Sequence, residues 1–380
     1  STLSSTSHRV EDINVASPSI GGTIAHKTGI ENAFSASINR HIICPRQGDT
    51  LSEGKGGHAV LEKIKRGLLG RSQKSLQKAD MEGNIPRVLC LVYTVRTPKN
   101  YLNAKAISDT WAKKCDKYIA ASNINDPSTG EIDLKHNGPE SYSNMWQKVQ
   151  SIWKYAYENY LDEYDFFYIA GDDTYLVIEN LKAYLISDEV VRLQNGYQDS
   201  IYKWYNKRNL TPATHHLKPR PLILSQPMMD YGYAVPLGGS GYVLNKAALK
   251  FFGEHGLNHH ATLKNLYRND DISYLHNVTD SREDIIIGQF FTDRGIYVSN
   301  TYDVSNGGRR FAGSAQNSFD WNGLDPSMPK YLESMFGIKL LKGIDSVSDQ
   351  QISFHMKDDL KTLKTLNLTV AALIYRYDAF

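Results

Sequence analysis

Residues 165–175, Asp-Phe-Phe-Tyr-Ile-Ala-Gly-Asp-Asp-Thr-Tyr, constrain the fold of this chain more than any other stretch. An apolar, aromatic run long enough for one buried strand stops at two adjacent carboxylates, Asp172 and Asp173. A strand without polar alternation is buried on both faces, which places it in the middle of a parallel sheet covered by helices. Open sheets of that kind bind ligands just outside the carboxyl ends of their strands. Two carboxylates there repel each other unless a cation or a set of donors lies between them. Hard oxygen ligands beside a diphosphate suit Mg²⁺ or Mn²⁺. The dipeptide alone better suits a surface turn or a helix N-terminus, where acidic side chains complement the dipole; the strand in front of it brings a ligand site level with that reading.

The chain divides near residue 85. Residues 1–84 are polar and rich in Ser, Gly and Lys, and they read as a stem or extended arm. Residues 85–380 read as one catalytic-type domain. Val88-Leu-Cys-Leu-Val-Tyr-Thr94 is a strand pattern, residues 100–114 have helical spacing, and Tyr118-Ile-Ala-Ala-Ser122 is a second strand. Residues 140–160 place Trp146, Val149, Trp153, Ala156 and Tyr160 on one helical face ahead of the strand that ends at Ala170. A helix is expected from about residue 177 to 186. Strands alternating with helices predict an α/β fold with a Rossmann-like, mostly parallel central sheet flanked by helices.

The second half is looser. A polar, basic insertion near 191–220 is expected to run over the surface, and a long polar loop spans 253–281. Between them come strands at Pro221-Leu-Ile-Leu-Ser225 and within 236–244, then a helix over residues 246–252. Arg282-Glu-Asp-Ile-Ile-Ile-Gly288 opens a helix, residues 348–355 end in a short strand, and a C-terminal helix carries Leu360, Leu363, Leu366, Val370 and Leu373 on one face.

A hydrophobic content of 41%, a charged content of 22% and a net charge of +2 are those of an ordinary globular protein and give no argument for nucleic acid as a partner. Tyrosine is plentiful, 24 residues beside 5 Trp and 12 Phe, and amphipathic rings suit both sugar-binding clefts and plain packing. No window holds the roughly 18 apolar residues of a membrane span. The chain begins at Ser1 and reads as the excised soluble portion of a longer protein. Asn209, Asn277 and Asn367 head acceptor sequons for N-glycans, which permit a secretory location. Cys90 and Cys115 bracket one strand-helix-strand unit and can pair, leaving Cys44 over; the first strand can equally hold Cys90 buried and reduced.

Three further features carry chemistry. The Gly238-Gly239-Ser-Gly241 run lacks the dinucleotide-binding spacing and the phosphate-loop lysine, so it marks a tight turn or a close backbone approach to a ligand. Asp284 begins a helix, where it serves either as a first-turn carboxylate or as a general base. His355 ends a short strand, either packed or completing a metal set begun by a carboxylate.

In order and spacing these segments resemble the core 1 β1,3-galactosyltransferases of glycosyltransferase family 31, the wider group that includes the Fringe enzymes. The resemblance covers residues 88–380. It rests on Leu89-Cys-Leu-Val-Tyr-Thr94 with Ser108-Asp-Thr-Trp-Ala-Lys-Lys-Cys115, on Trp146-Gln-Lys148 leading to Gly171-Asp-Asp-Thr-Tyr175, and on Gly238-Gly-Ser-Gly-Tyr-Val-Leu-Asn-Lys246. Glu283-Asp284 with Gly288, and Ser348-Asp349 with Ile352-Ser-Phe-His355, complete it.

The resemblance implies a GT-A fold, a UDP-sugar donor, Mn²⁺, and inversion at the anomeric carbon. Carried over by position, Asp173 and His355 hold the metal, Asp172 lies toward the ribose and phosphates, and Thr94 lies near the uridine. Gly239 and Gly241 let the backbone approach the sugars, and Asp284 is the general base. The expected partners are the donor and a glycan or glycoprotein acceptor, with a homodimer admitted. The expected location is the Golgi or secretory lumen, as a single-pass type II membrane protein whose anchor lies outside this sequence. The pattern supports pairing of Cys90 with Cys115, with Cys44 free or linked to another chain. Three departures stand out, one being the insertions near 191–220 and 253–281, which are expected to border the acceptor side. Gly171 replaces the first carboxylate of the family's triplet, which keeps open a catalytically silent glycan-binding or chaperone-like homologue; the nearest enzyme alternative is a related UDP-sugar transferase moving N-acetylglucosamine or another sugar. Ser346-Val347 replaces a Cys-Cys pair, so that disulfide cannot form.

Overall fold

Val88–Tyr93 and Phe166–Gly171 lie side by side at the centre of a seven-stranded sheet, and almost every side chain on them is sealed from solvent. The computed structural model describes residues 63–355, apart from 65, 208–217, 231, 258–262, 265–270, 273–280, 304–307, 313–332, 334–336, 338–340 and 342. The expected C-terminal helix, Cys44 and the three sequon asparagines lie outside the described residues.

A short π-helical segment, Leu68–Ser72, runs into α1 (Gln73–Met81), and β1 (Val88–Tyr93) follows. Next come α2 (Pro98–Asp109), β2 (Lys117–Ser122), β3 (Glu131–Asp133), α3 (Met145–Tyr160) and β4 (Phe166–Gly171). Then come β5 (Thr174–Leu176), α4 (Ile178–Leu185), α5 (Asp188–Gln194), α6 (Ser200–Asn206), β6 (Ile223–Ser225), β7 (Pro227–Asp230) and β8 (Tyr233–Pro236). The remainder is β9 (Tyr242–Asn245), α7 (Lys246–His255), β10 (Leu263–Lys264), β11 (Asp271–Ile272), α8 (Glu283–Thr292), β12 (Val298–Asn300), β13 (Phe311–Ala312) and β14 (Ser353–His355).

The central sheet has the order β12-β6-β9-β4-β1-β2-β3. Only β9 runs against the other strands, pairing antiparallel with both β4 and β6. Alternate residues of the strands feed two separate cores, one on each face. Val88, Cys90, Val92, Tyr168 and Ala170 pack with α4 and the end of α2 on one face. Leu89, Leu91, Phe167 and Ile169 pack with α3, α7 and α8 on the other. This mostly parallel sheet between helical layers is compatible with a GT-A arrangement. No helix among the described residues is long and apolar enough to cross a membrane.

The stretch expected as a surface excursion is in part core. Within residues 191–220, α6 buries Ile201, Tyr202 and Tyr205 completely, against Met229, Ala234, Tyr297 and Tyr302. Tyr205 stacks on Tyr297 at 4.0 Å, and the Arg220 guanidinium lies 3.7 Å over the ring of Tyr202. The buried Asp199 caps α6, accepting from the amides of Ile201 and Tyr202, and its other oxygen accepts from Asn300 at 2.7 Å. Polar residues between the rings hide this short amphipathic helix in the composition.

Cys90 and Cys115 form a disulfide that ties β1 to the segment entering β2. The two cysteines are 25 residues apart, so the crosslink removes loop entropy from the unfolded chain. Replacing both with alanine is expected to cost about 2–4 kcal/mol, read from urea unfolding curves. A loss below about 0.5 kcal/mol would show that the bridge leaves the unfolded ensemble unconstrained.

At the other end of the chain, residues 346–355 are fixed by a polar seam. Arg309 donates its backbone N–H to the carbonyl of Ser346 at 2.8 Å, and its guanidinium donates to the same carbonyl and to the hydroxyl. Arg310 lies 3.6 Å from Asp303 and 3.3 Å from Glu189. Residues 63–84, assigned from sequence to the arm, rest on this seam: Arg71 reaches both Asp303 and Asp349, and the Gln350 amide donates to the hydroxyl of Ser72.

Candidate functional site

The carboxyl edge of the sheet brings the predicted residues together, and β9 is the reason that the glycine turn joins them. Because β9 is reversed, its amino end, not its carboxyl end, lies beside the carboxyl end of β4, with Tyr242 opposite Ile169. The turn at 238–241 therefore faces Asp172 and Asp173. In the second sheet, β14 pairs antiparallel with β5 and sets His355 opposite Thr174. That register carries a residue from far along the chain to within contact of Asp173.

The two adjacent carboxylates diverge. Asp172 turns toward β1 and α2, where Oδ2 accepts from Thr94 Oγ1 at 2.5 Å and from Asn100 Nδ2 at 2.7 Å. Asn103 adds a long bond to Oδ1 at 3.5 Å. Burial pushes the Asp172 carboxyl up, these donors hold it down, and the charge of Asp173 pushes it up again. Asp173 instead faces His355, with Oδ2 3.1 Å from Nε2. Asn100 and Asn103 went unread in the sequence, although their spacing of three on a helix that follows β1 puts both on one face.

Gly171 has a local cause. A Cβ there would lie 3.0 Å from Asp173 Oδ1 and 3.1 Å from the ring of Tyr93. Both neighbours would have to shift by a few tenths of an ångström to admit even an alanine. The space beside Gly171 is thus held by an aromatic ring.

The turn at 238–241 is built for close approach. A Cβ on Gly239 would lie 2.3 Å from His355 Nδ1, so only glycine admits the imidazole. Gly241 has φ +73, and a Cβ there would also strike the Tyr168 hydroxyl at 2.4 Å. Thr174 Oγ1 donates to the carbonyl of Gly239 at 3.0 Å, and Ser353 Oγ to that of Ser240 at 2.6 Å, which fix the turn against β5 and β14.

Asp284 stands on the far side of the same turn. Its Oδ1 accepts from the Ile285 amide at 2.9 Å, as an ordinary first-turn carboxylate does. Its Oδ2 accepts from the Gly238 amide at 2.9 Å, across to another element. Burial raises the Asp284 carboxyl and the backbone donors oppose it. Its neighbour Glu283 is 3% exposed and accepts from Tyr242 Oη at 3.0 Å, and that hydroxyl in turn accepts from Trp153 Nε1 at 3.2 Å. Burial first, then the charge of Asp284, push Glu283 well above the usual carboxylate range. Each oxygen of Asp284 keeps a lone pair beyond its backbone bond, so the group is oriented and still able to accept a proton.

No family model matches the chain. Over 295 residues it is 25% identical to glycoprotein-N-acetylgalactosamine 3-beta-galactosyltransferase 1 of Xenopus laevis, a match covering 77% of this chain and 69% of that protein. The chain is a distant relative of a galactosyltransferase. The likeness agrees at that level with the motif resemblance.

The donor set also fits a divalent cation in part. An imidazole nitrogen and a carboxylate oxygen face each other, both partly open to solvent, with side-chain exposures of 19% for His355 and 28% for Asp173. Among the described residues no cluster of three or more His, Cys, Asp or Glu forms a closed cage. Asp173 and His355 are the two residues that would hold such a cation.

Proposed function

We propose that this chain is a metal-dependent, inverting glycosyltransferase that moves galactose from UDP-galactose to a glycan or glycoprotein acceptor in a β1,3 linkage. The relationship to a galactosyltransferase supports glycosyl transfer. The observation that carries the finer reading is the convergence on one glycine turn of Asp284 on one side and the Asp173–His355 pair on the other.

In this reading Asp284 takes the proton from the acceptor hydroxyl as that oxygen attacks C1 of the sugar. The bond from C1 to the phosphate oxygen breaks, and its electron pair leaves with UDP. A carboxylate raised by burial is a better base than an exposed one, and two backbone donors keep it aimed. Asp173 and His355 would hold Mn²⁺, which when bound would supply Lewis acidity against the charge of the leaving diphosphate. Thr94 and Asp172, already bonded to each other, take the nucleoside side, with Asn100 and Asn103 holding Asp172 in place. The acceptor is proposed to carry N-acetylgalactosamine, as the relative's name says of that protein. The Cys90–Cys115 disulfide supports a secretory or Golgi lumen, with a type II anchor outside this sequence and a homodimer admitted.

Hydrolysis of a panel of UDP-sugars, each with Mn²⁺ and with chelator, tests this reading. One donor is expected to be turned over, UDP-galactose, and chelator is expected to abolish it. Turnover of UDP-N-acetylglucosamine alone would replace the donor. No turnover of any donor, with or without an N-acetylgalactosamine acceptor, would favour a silent homologue.

A further inference from the structure

One exposed aromatic side chain has no part in the mechanism above. α3 leads into β4, which is parallel to β1, so the helix runs back against the strands and its amino end lies at their carboxyl edge. That is the edge bearing Asp172 and Asp173. Tyr142 stands in the single 3-10 turn Tyr142–Asn144 just before α3, and 75% of its surface is open to solvent.

The segment that presents this ring is tied down. The fully buried Asn144 donates from Nδ2 to the carbonyls of Asn137 at 2.6 Å and Pro139 at 2.9 Å. The buried Lys148, one turn further on, donates to the carbonyl of Thr94 at 2.5 Å and pairs with Glu140. Glu140 also meets His136 Nε2 at 3.0 Å. The loop is thus fastened to α3 and to the end of β1, whose Thr94 hydroxyl bonds Asp172. α8 precedes β12, which runs in the same direction as β1, so its amino end with Asp284 lies at this same carboxyl edge. Trp146 of α3 packs in one core with Ile286 and Ile287 of α8. Partial burial, then the charges of Asp284, Glu283 and Asp173, push the Tyr142 hydroxyl up.

An exposed ring on a fixed loop presents a flat, slightly negative face at little cost in conformational entropy. One face of a hexopyranose is a patch of C–H bonds that fits such a surface, while its edge carries hydroxyls. We propose that Tyr142 is the stacking platform for the acceptor sugar, which lays the apolar face of that hexopyranose on the ring and so presents one ring hydroxyl to Asp284. The inference rests on the reading of Asp284 as the base.

Benzyl glycosides of N-acetylgalactosamine, galactose, N-acetylglucosamine and glucose serve as acceptor probes for the full chain, with donor and Mn²⁺ saturating. For the glycoside that the parent chain uses, Tyr142→Ala is expected to raise the acceptor KM about tenfold, with kcat lowered less than about threefold. Affinity for UDP with Mn²⁺ stays at the parental value in the same variant. Tyr142→Phe, which keeps the ring, restores the KM to within about twofold. An unchanged KM in Tyr142→Ala overturns the platform, and so does Tyr142→Phe failing as badly as the alanine. A parent chain that transfers to none of the four overturns the acceptor reading and this inference with it, and Asp284→Asn retaining transfer overturns the base reading separately.

Discussion

Asp284→Asn is expected to lower sugar transfer by roughly 10²–10⁴-fold, the range that general acid–base catalysis contributes. The amide keeps the size of the carboxylate and an oxygen that can accept from the Gly238 amide, so the turn and the helix start should survive. UDP and Mn²⁺ should bind as before, because Asp284 faces Gly238 and not the Asp173–His355 pair. The pH profile sharpens the test. The base works ionised, so transfer is lost as pH falls through the Asp284 pKa. Burial raises that pKa, which moves the acid limb to higher pH than an exposed aspartate would give. Residual transfer by the asparagine variant should lack this limb. A variant that keeps more than about a third of parental transfer would leave Asp284 a helix-start residue and move the search for a base to Glu283.

Asp173→Ala and His355→Ala should each abolish the dependence of UDP binding on Mn²⁺. Loss of an outer-shell partner typically weakens a metal site by about 10–100-fold, and loss of a direct ligand should cost at least as much. Both side chains are partly exposed at strand ends, so folding should be little changed. The competing account is a plain Asp–His ion pair at the surface, worth about 0–1 kcal/mol and irrelevant to nucleotide. Calorimetric titration of UDP with Mn²⁺ and with chelator separates the two. Parental affinity in both variants would remove these residues from the metal site.

Much of the fold was legible because its central strands announce themselves. Residues such as Leu89, Leu91, Phe167 and Ile169 belong to runs with no polar interruption, and such runs have only the middle of a covered sheet to occupy. Direction was not legible. Nothing in Tyr242-Val-Leu-Asn245 says that it runs against its neighbours, since burial on both faces reads alike in either sense. The aromatic cluster around Tyr202, Tyr205 and Tyr297 was missed because its parts lie far apart in sequence and its helix is short. At the site, Asp172, Asp173, Asp284 and His355 could be nominated by residue type and order. Their hydrogen-bond partners could not: whether Asp172 faces Asn100 or a cation depends on a side-chain direction that pairing and packing set together.

The helix that precedes β1 gives the molecule a lever. Gly67 lies so close to Asp349 that a Cβ there would meet its carbonyl at 2.0 Å, and Arg71 grips Asp303 and Asp349 beside it. A few residues beyond Asp349, β14 delivers His355 to Asp173. A side chain at 67, or loss of the Arg71 guanidinium, would therefore disturb Asp349 and with it the backbone that leads to the imidazole, with no contact to the nucleotide side needed.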